Sequence, residues 1–275
     1  MITRMRATTQ QVSQCRLCGA EAPLRFTAPL SREMVGRYYE CTRCHFLRSD
    51  HLDSSEHLRH VYDTARPEDD PGAAYRQLCI ATRVTEFVRA RLLGFGPSVR
   101  MLDFGSATGF LPGSLAMRFG WRTMGFDAYA TPFYDPARVT NEWEQVTRSG
   151  PFDLVVATEV LEHFTNPTEE LERIACVMRP DRSFAYVTTS LYDPATCGPD
   201  WDYLAPHTAQ HCSFYSREAL AKVAAVLDAK LVQVSGLYPN EWLFVRGSAS
   251  LQMQARAAGW IIRTLMRSRR IPGFR

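Results

Sequence analysis

The stretch Met101–Phe110, "MLDFGSATGF", limits the folds open to this chain more than any other. An apolar run closes on Asp103, and Gly105, Ala107 and Gly109 follow at every second position before a helix-forming segment that contains Leu115. A strand that passes through a turn of small residues straight into a helix is the opening unit of an open α/β sheet. In such a sheet, ligands sit beyond the carboxyl ends of the strands.

The same alternation continues downstream. "WRTMGFD", "FDLVVATEV" and "SFAYVTTS" have strand patterning, and "LPGSLAMRFG", "NPTEELERIACVM" and "SREALAKVAAVLDA" have helical patterning. Gly120 closes the first of these helices, Pro167 opens the second and Ser216 caps the third. Strands alternating with helices predict a mostly parallel sheet. "KLVQVSGLY" and "EWLFVRG" are joined by too short a link for a parallel crossover, so the sheet is expected to end in an antiparallel hairpin. Ahead of the sheet, Leu78, Ala81, Val84, Val88 and Leu92 recur at helical spacing from Tyr75 to Leu93, after a linker rich in Pro and acid around Pro67 and Pro71.

With 275 residues, 45% of them hydrophobic, the chain can bury one large core with an appendage. No apolar run approaches the ~18 residues that span a bilayer, and the first residues lack the apolar segment of a signal peptide, so a cytoplasmic location is expected. The net charge of +3 is unevenly placed: residues 61–247 are acidic overall, and residues 248–275 hold six Arg and no acid. That distribution argues against nucleic acid as a partner of the main domain. The tail, with Trp260, Ile261, Ile262, Leu265 and Met266 among its arginines, reads as an amphipathic helix. Its apolar face would dock on the core, on a second subunit in a homodimer, or on an anionic membrane.

Four of the eight cysteines form two C-x-x-C pairs, Cys15 with Cys18 and Cys41 with Cys44, separated by 22 residues. Two such pairs can present four thiolates tetrahedrally to zinc, and Gly19 permits the tight turn after the first pair. A disulfide-linked secreted domain is the alternative, and His45 or His51 could replace one cysteine. The expected organisation is a zinc ribbon over 1–50, a linker and lid-type helix over 51–95, the α/β core over 96–247 and the basic helix over 248–275.

Three motifs in order resemble those of class I S-adenosylmethionine (SAM)-dependent methyltransferases. "MLDFGSATGF" resembles the first motif, with Ala107 at its middle glycine; "GFDAY" resembles the acidic ribose-binding motif; "FDLVVATEVLEHFTNP" resembles the later strand with its "EVLEH" ending. The resemblance covers about residues 75–247 and implies a Rossmann-like methyltransferase core. Taken with the cysteine pairs and the segments "SLYDP" and "WDYLAPHTAQHCSFYSREAL", the chain is similar to a bacterial group often found beside glycosyltransferases. That similarity implies a sugar or related small metabolite as acceptor.

On this reading Asp103, Gly105, Ala107 and Gly109 shape the methionine end of the cofactor site. Asp127, ending its strand, accepts the ribose hydroxyls. Phe126 with Tyr129, and Glu142 with Trp143, are candidates to lie beside adenine, and Glu159 to border the pocket. The accepting atom is expected to be a hydroxyl oxygen, with carbon as the alternative, and either loses a proton on methylation, so a base is needed. His211 is the first candidate, with His207 and Tyr192 in the same segment after the strand ending near Ser190. "EVLEH" also resembles the divalent-ion site of ubiquinone-type O-methyltransferases, which would make Glu159, Glu162 and His163 ligands of a second metal. The competing functions are an RNA methyltransferase that grips its substrate with the ribbon, and a non-catalytic SAM-binding or scaffold protein.

Overall fold

The computed structural model describes residues 11–31, 34–63, 72, 75, 77–82, 96, 98–233 and 240–257. The Pro67 and Pro71 linker, residues 83–93 of the helix predicted from Tyr75, the hairpin link at Pro239 and the basic tail around Trp260 lie outside them.

Two sheets organise the chain. The larger has seven strands: β5 (Arg100–Phe104), β6 (Arg122–Phe126), β7 (Val139–Thr140), β8 (Leu154–Thr158), β9 (Arg182–Thr188), β11 (Lys230–Gln233) and β12 (Glu241–Gly247). They are ordered β11-β12-β9-β8-β5-β6-β7. Only β12 runs against its neighbours, pairing antiparallel with both β9 and β11, so the predicted hairpin inserts its second strand next to the parallel set. The chain steps outward from β5 through β6 to β7 and then returns to the other side of β5 as β8. This reversal opens a crevice at the carboxyl ends of β5 and β8.

Strand periodicity divides the core between the two faces of the sheet. Val155, Ala157, Trp242 and Phe244 pack on one face with helices α4 (Pro167–Val177) and α5 (Arg217–Val226). Leu154, Val156, Leu243 and Val245 pack on the other with α2 (Phe110–Phe119) and Leu251 and Ala255 of the helical segment 249–257. Gly120, at φ +68, closes α2 as its left-handed cap. The buried Arg246 guanidinium donates to the carbonyls of Ala175, Met178 and Leu227, where α4 and α5 end. No helix among the described residues is long and apolar enough to cross a membrane.

The smaller sheet is antiparallel, with order β1-β2-β3-β4-β10. β1 (Val12–Gln14), β2 (Glu21–Pro29), β3 (Val35–Glu40) and β4 (Leu47–Ser49) come from the cysteine-bearing segment, whereas β10 (Ser213–Phe214) comes from the far end of the chain. Ser213 pairs with Arg48 and Phe214 with Leu47. Helix α1 (Ser55–Asp63) follows β4 and carries the chain toward the crevice.

Candidate active site

The turn after β5 is wound as its small residues require. Gly105 and Gly109 take φ +76, and Ala107, at the position where the motif usually has glycine, takes φ +42, which costs an L-residue about 1 kcal/mol or more. At Gly105 an added Cβ would collide with the Val160 side chain, so glycine lets the turn meet the loop after β8. Gly109 is the residue from which α2 starts.

Asp127 locks this turn. Its Oδ2 accepts from Ala107 N at 2.9 Å, and its Oδ1 accepts from Tyr129 N at 3.0 Å and Ala130 N at 2.8 Å. Asp103 therefore does not hold the turn amide; Asp127 does. Of the roughly four lone-pair directions of the Asp127 carboxylate, these three amides use three. Asp103 is 3% exposed, and burial, reinforced by the Asp127 charge, pushes its carboxyl up to about 8.

The aromatic candidates divide. Phe126 is buried in the core, with Phe104 at 5.3 Å and Trp143 at 5.2 Å between ring centroids, so its ring is structural rather than open to a ligand. Glu142 is exposed at the start of the helix α3 (Trp143–Ser149) and holds Gln145. Tyr129 is 56% exposed, and the ring of Tyr62, on α1, stacks on it at 4.1 Å.

Across the crevice, three donor groups converge. One ligand atom each from Glu162, His163 and His211 lies within 4.8 Å of the others. The His163 and His211 rings stand 5.0 Å apart, edge to face. His211 Nδ1 is 2.7 Å from the Tyr203 carbonyl, which can only accept, so Nδ1 carries the hydrogen and Nε2 the lone pair of the neutral ring. Tyr62 Oη lies 3.0 Å from His163 Nδ1. Glu162 is fully buried: Oε1 accepts from the Tyr203 hydroxyl at 2.7 Å, and Oε2 has no hydrogen-bond partner. Burial and the Glu159 carboxylate raise the Glu162 pKa well above the usual carboxylate range. Glu159, at φ +51, has Oε2 3.0 Å from the same Tyr203 hydroxyl, whose single hydrogen the two carboxylates share, and lies outside the converging trio, so His211 takes the place predicted for Glu159 in that set.

The other two predicted bases have different surroundings. His207 is exposed. Tyr192 is 2% exposed and donates to Glu40 Oε2 at 3.0 Å, because the bridge between Leu191 and Tyr215 turns this stretch toward the smaller sheet. Tyr62 and Tyr203 are not among the residues that the sequence singles out. A lone tyrosine in "HLRHVYD" carries no local pattern, whereas the dense aromatic run "WDYLAPH" marks the second segment without distinguishing Tyr203.

The sulfurs of Cys15, Cys18, Cys41 and Cys44 also converge within 4.8 Å. Cys15 to Cys44 is 3.8 Å and Cys18 to Cys41 is 3.4 Å, well beyond a disulfide bond, so all four are free thiols. Zinc at ~2.3 Å from each sulfur would set tetrahedral edges of about 3.8 Å, which this donor set fits. Neither histidine belongs to it: His45 binds Glu40 at 2.9 Å, and His51 binds Ser49 and the Ala209 carbonyl.

Residues 57–234 match the methyltransferase domain family. Among solved structures, the chain is similar to the 1,6-didemethyltoxoflavin-N1-methyltransferase of Burkholderia thailandensis, which was solved with 1,6-didemethyltoxoflavin and S-adenosylhomocysteine. The TM-score is 0.52 at 13% identity, over 82% of this chain and 100% of that one. Magnesium protoporphyrin IX methyltransferase from Synechocystis PCC 6803, with bound S-adenosylhomocysteine, aligns at TM-score 0.44 and 15% identity over 72% and 96% of the two chains. No curated protein matches the sequence. With more than half its length in the family match and the family's sheet and glycine turn in place, the chain belongs to the methyltransferase domain family and is a class I SAM-dependent methyltransferase.

Proposed function

We propose that the enzyme methylates a hydroxyl of a sugar or related small metabolite, with His211 as the proton acceptor. The observation that carries this reading is the tautomer of His211. With Nδ1–H fixed on the Tyr203 carbonyl, Nε2 is the basic nitrogen of a ring held beside Glu162 and His163, across the crevice from the glycine turn. SAM supplies a methyl on a sulfonium that is already a good leaving group. The residues of this chain then have two tasks. Gly105, Ala107, Gly109 and Asp127 hold the cofactor, with Asp103 and Glu159 at the border of its pocket. Tyr62, stacked on Tyr129, stands between that wall and His163 and closes the space in which an acceptor is aligned. The Cys15, Cys18, Cys41 and Cys44 set is proposed to hold one structural zinc.

A second reading of the trio is favoured by Glu162 Oε2, a buried carboxylate oxygen without a partner. One carboxylate and two imidazoles suit a divalent ion such as Zn²⁺ or Mn²⁺, which would lower the pKa of a bound hydroxyl. On this reading Nε2 of His211 is a ligand, oriented by the same Tyr203 carbonyl.

The test combines methyl-labelled SAM, a panel of sugar nucleotides, glycosides and RNA, and elemental analysis of the protein. Label in an alkali-stable ether on a sugar, with one zinc per chain, is expected. A second metal equivalent that is lost in His211→Ala selects the divalent-ion reading. Label in RNA, or none in any sugar, overturns the acceptor class.

A further inference from the structure

The cysteine-bearing ribbon meets the reacting trio most directly through one residue, Cys212. Cys212 directly follows His211. Its carbonyl accepts from Ser49 N, at the end of β4, and its N–H donates to the Glu162 carbonyl, both at 2.8 Å. The Ser213 hydroxyl adds a 2.6 Å bond to the Phe164 carbonyl, and Ser213–Phe214 then continues as the strand paired with β4. A shift of the ribbon would thus displace His211 and the Glu162–His163 loop together.

A second tie lies just before His211. His51 is 5% exposed, and its Nε2 lies 2.9 Å from the Ala209 carbonyl, so Nε2 carries the hydrogen and Nδ1 receives the Ser49 hydroxyl at 2.8 Å. The carbonyl belongs to a residue at φ +55, in a loop where Ala205 also has φ +47. Two alanines in left-handed conformation persist only where the surroundings impose it. Ser31 N, donating to the Pro206 carbonyl at 2.7 Å, adds a backbone tie between the ribbon and this loop.

We propose that the ribbon is the positioning frame of the acceptor site and that His51 is the positioning residue that holds the 205–211 loop, and with it His211, in register. This role rests on the reading of Glu162, His163 and His211 as the reacting cluster. It gives the ribbon work inside the enzyme rather than a grip on a separate polymer.

The test is hydrogen–deuterium exchange on the full chain as purified, with SAM affinity measured by calorimetry. In His51→Ala, amides of 206–214 should exchange about tenfold faster or more, while β5 and α2 keep their protection and SAM affinity is unchanged. His51→Gln, which keeps an N–H able to reach the Ala209 carbonyl, should restore most of the protection. Cys44→Ser should deprotect the same 206–214 amides together with the ribbon. Unchanged exchange at 206–214 in His51→Ala, or equal deprotection in His51→Gln and His51→Ala, overturns the proposal. Intact turnover in His211→Ala would instead remove the reading of the cluster on which the role rests, even where the exchange data show that His51 holds the loop.

Discussion

The wall proposed for the cofactor is made from one stretch of chain, whereas the wall facing it is gathered from several. In the first, Asp127 reaches back only 20 residues to the Ala107 amide, and the whole turn lies between two adjacent parallel strands. In the second, Tyr62 meets His163 across 101 residues, Tyr203 meets Glu162 across 41, and the ribbon holds the loop before His211 across 158. A local wall owes its shape to backbone conformation. A composite wall owes its shape to every element that delivers a side chain to it. Binding and turnover should therefore fail separately.

The largest separation is expected at His211. His211→Ala should lower turnover by ~10²–10⁴ with little change in SAM affinity, and the loss of rate toward acid pH should disappear with the imidazole. Steady-state kinetics over about pH 5.5–9, spanning the usual range of imidazole titration, on the acceptor found by label transfer, checks this. The exposed His207, replaced by Ala, should leave both parameters near wild type.

The next effect belongs to the local wall and concerns stability. Burial holds the Asp103 carboxyl at about 8 instead of 3.8, so between those values the folded chain keeps a proton that the unfolded chain releases. The stability contributed by this group is full below about pH 4 and is lost as pH rises to about 8, by up to ~1.4 kcal/mol per pH unit. Asp103→Asn should flatten that slope, which urea midpoints at about pH 6 and about pH 8 would show. Equal slopes in both proteins would mean that the carboxyl titrates outside this window.

Asp127→Ala should weaken SAM binding by ~1–3 kcal/mol, since it removes a charged acceptor and releases the amides of Ala107, Tyr129 and Ala130. Calorimetry that returns the wild-type affinity would take the ribose role away from this residue. The smallest effect is at Ala107. Glycine takes φ +42 without the penalty of a Cβ, so Ala107→Gly should stabilise the turn by ~0.5–1 kcal/mol and raise the melting temperature, with no change in His211-dependent turnover.

The contrast between the walls also accounts for how much of the molecule is legible in its amino-acid sequence. The glycine turn, the carboxylate at the end of β6 and the paired cysteines are patterns of near neighbours, and they lie in the fold where those patterns place them. The parallel order of β5, β6, β8 and β9 is legible for the same reason, since each strand carries its own apolar run. β7 has two residues and leaves no signal. Spacing assigns Tyr192 to the crevice because it follows β9, but the partner that fixes it, Glu40, lies 152 residues away and cannot be inferred from spacing. As motifs, His211 and the "EVLEH" residues are separate devices. The backbone link between Cys212 and Glu162 makes them one.

The pairing of β4 with β10 also bears on synthesis. The partners that complete the ribbon, from Ala209 to Ser216, are 158 to 172 residues later than the ribbon atoms they bind. At a ribosomal rate of ~5–20 residues per second, the edge of β4 waits roughly ten to thirty seconds for them. During that interval Leu47–Ser49 is an open strand edge, and Arg48 at its centre supplies the charge that discourages pairing with other nascent chains. In the folded chain the same arginine is paired with Asp53, at 2.9 Å.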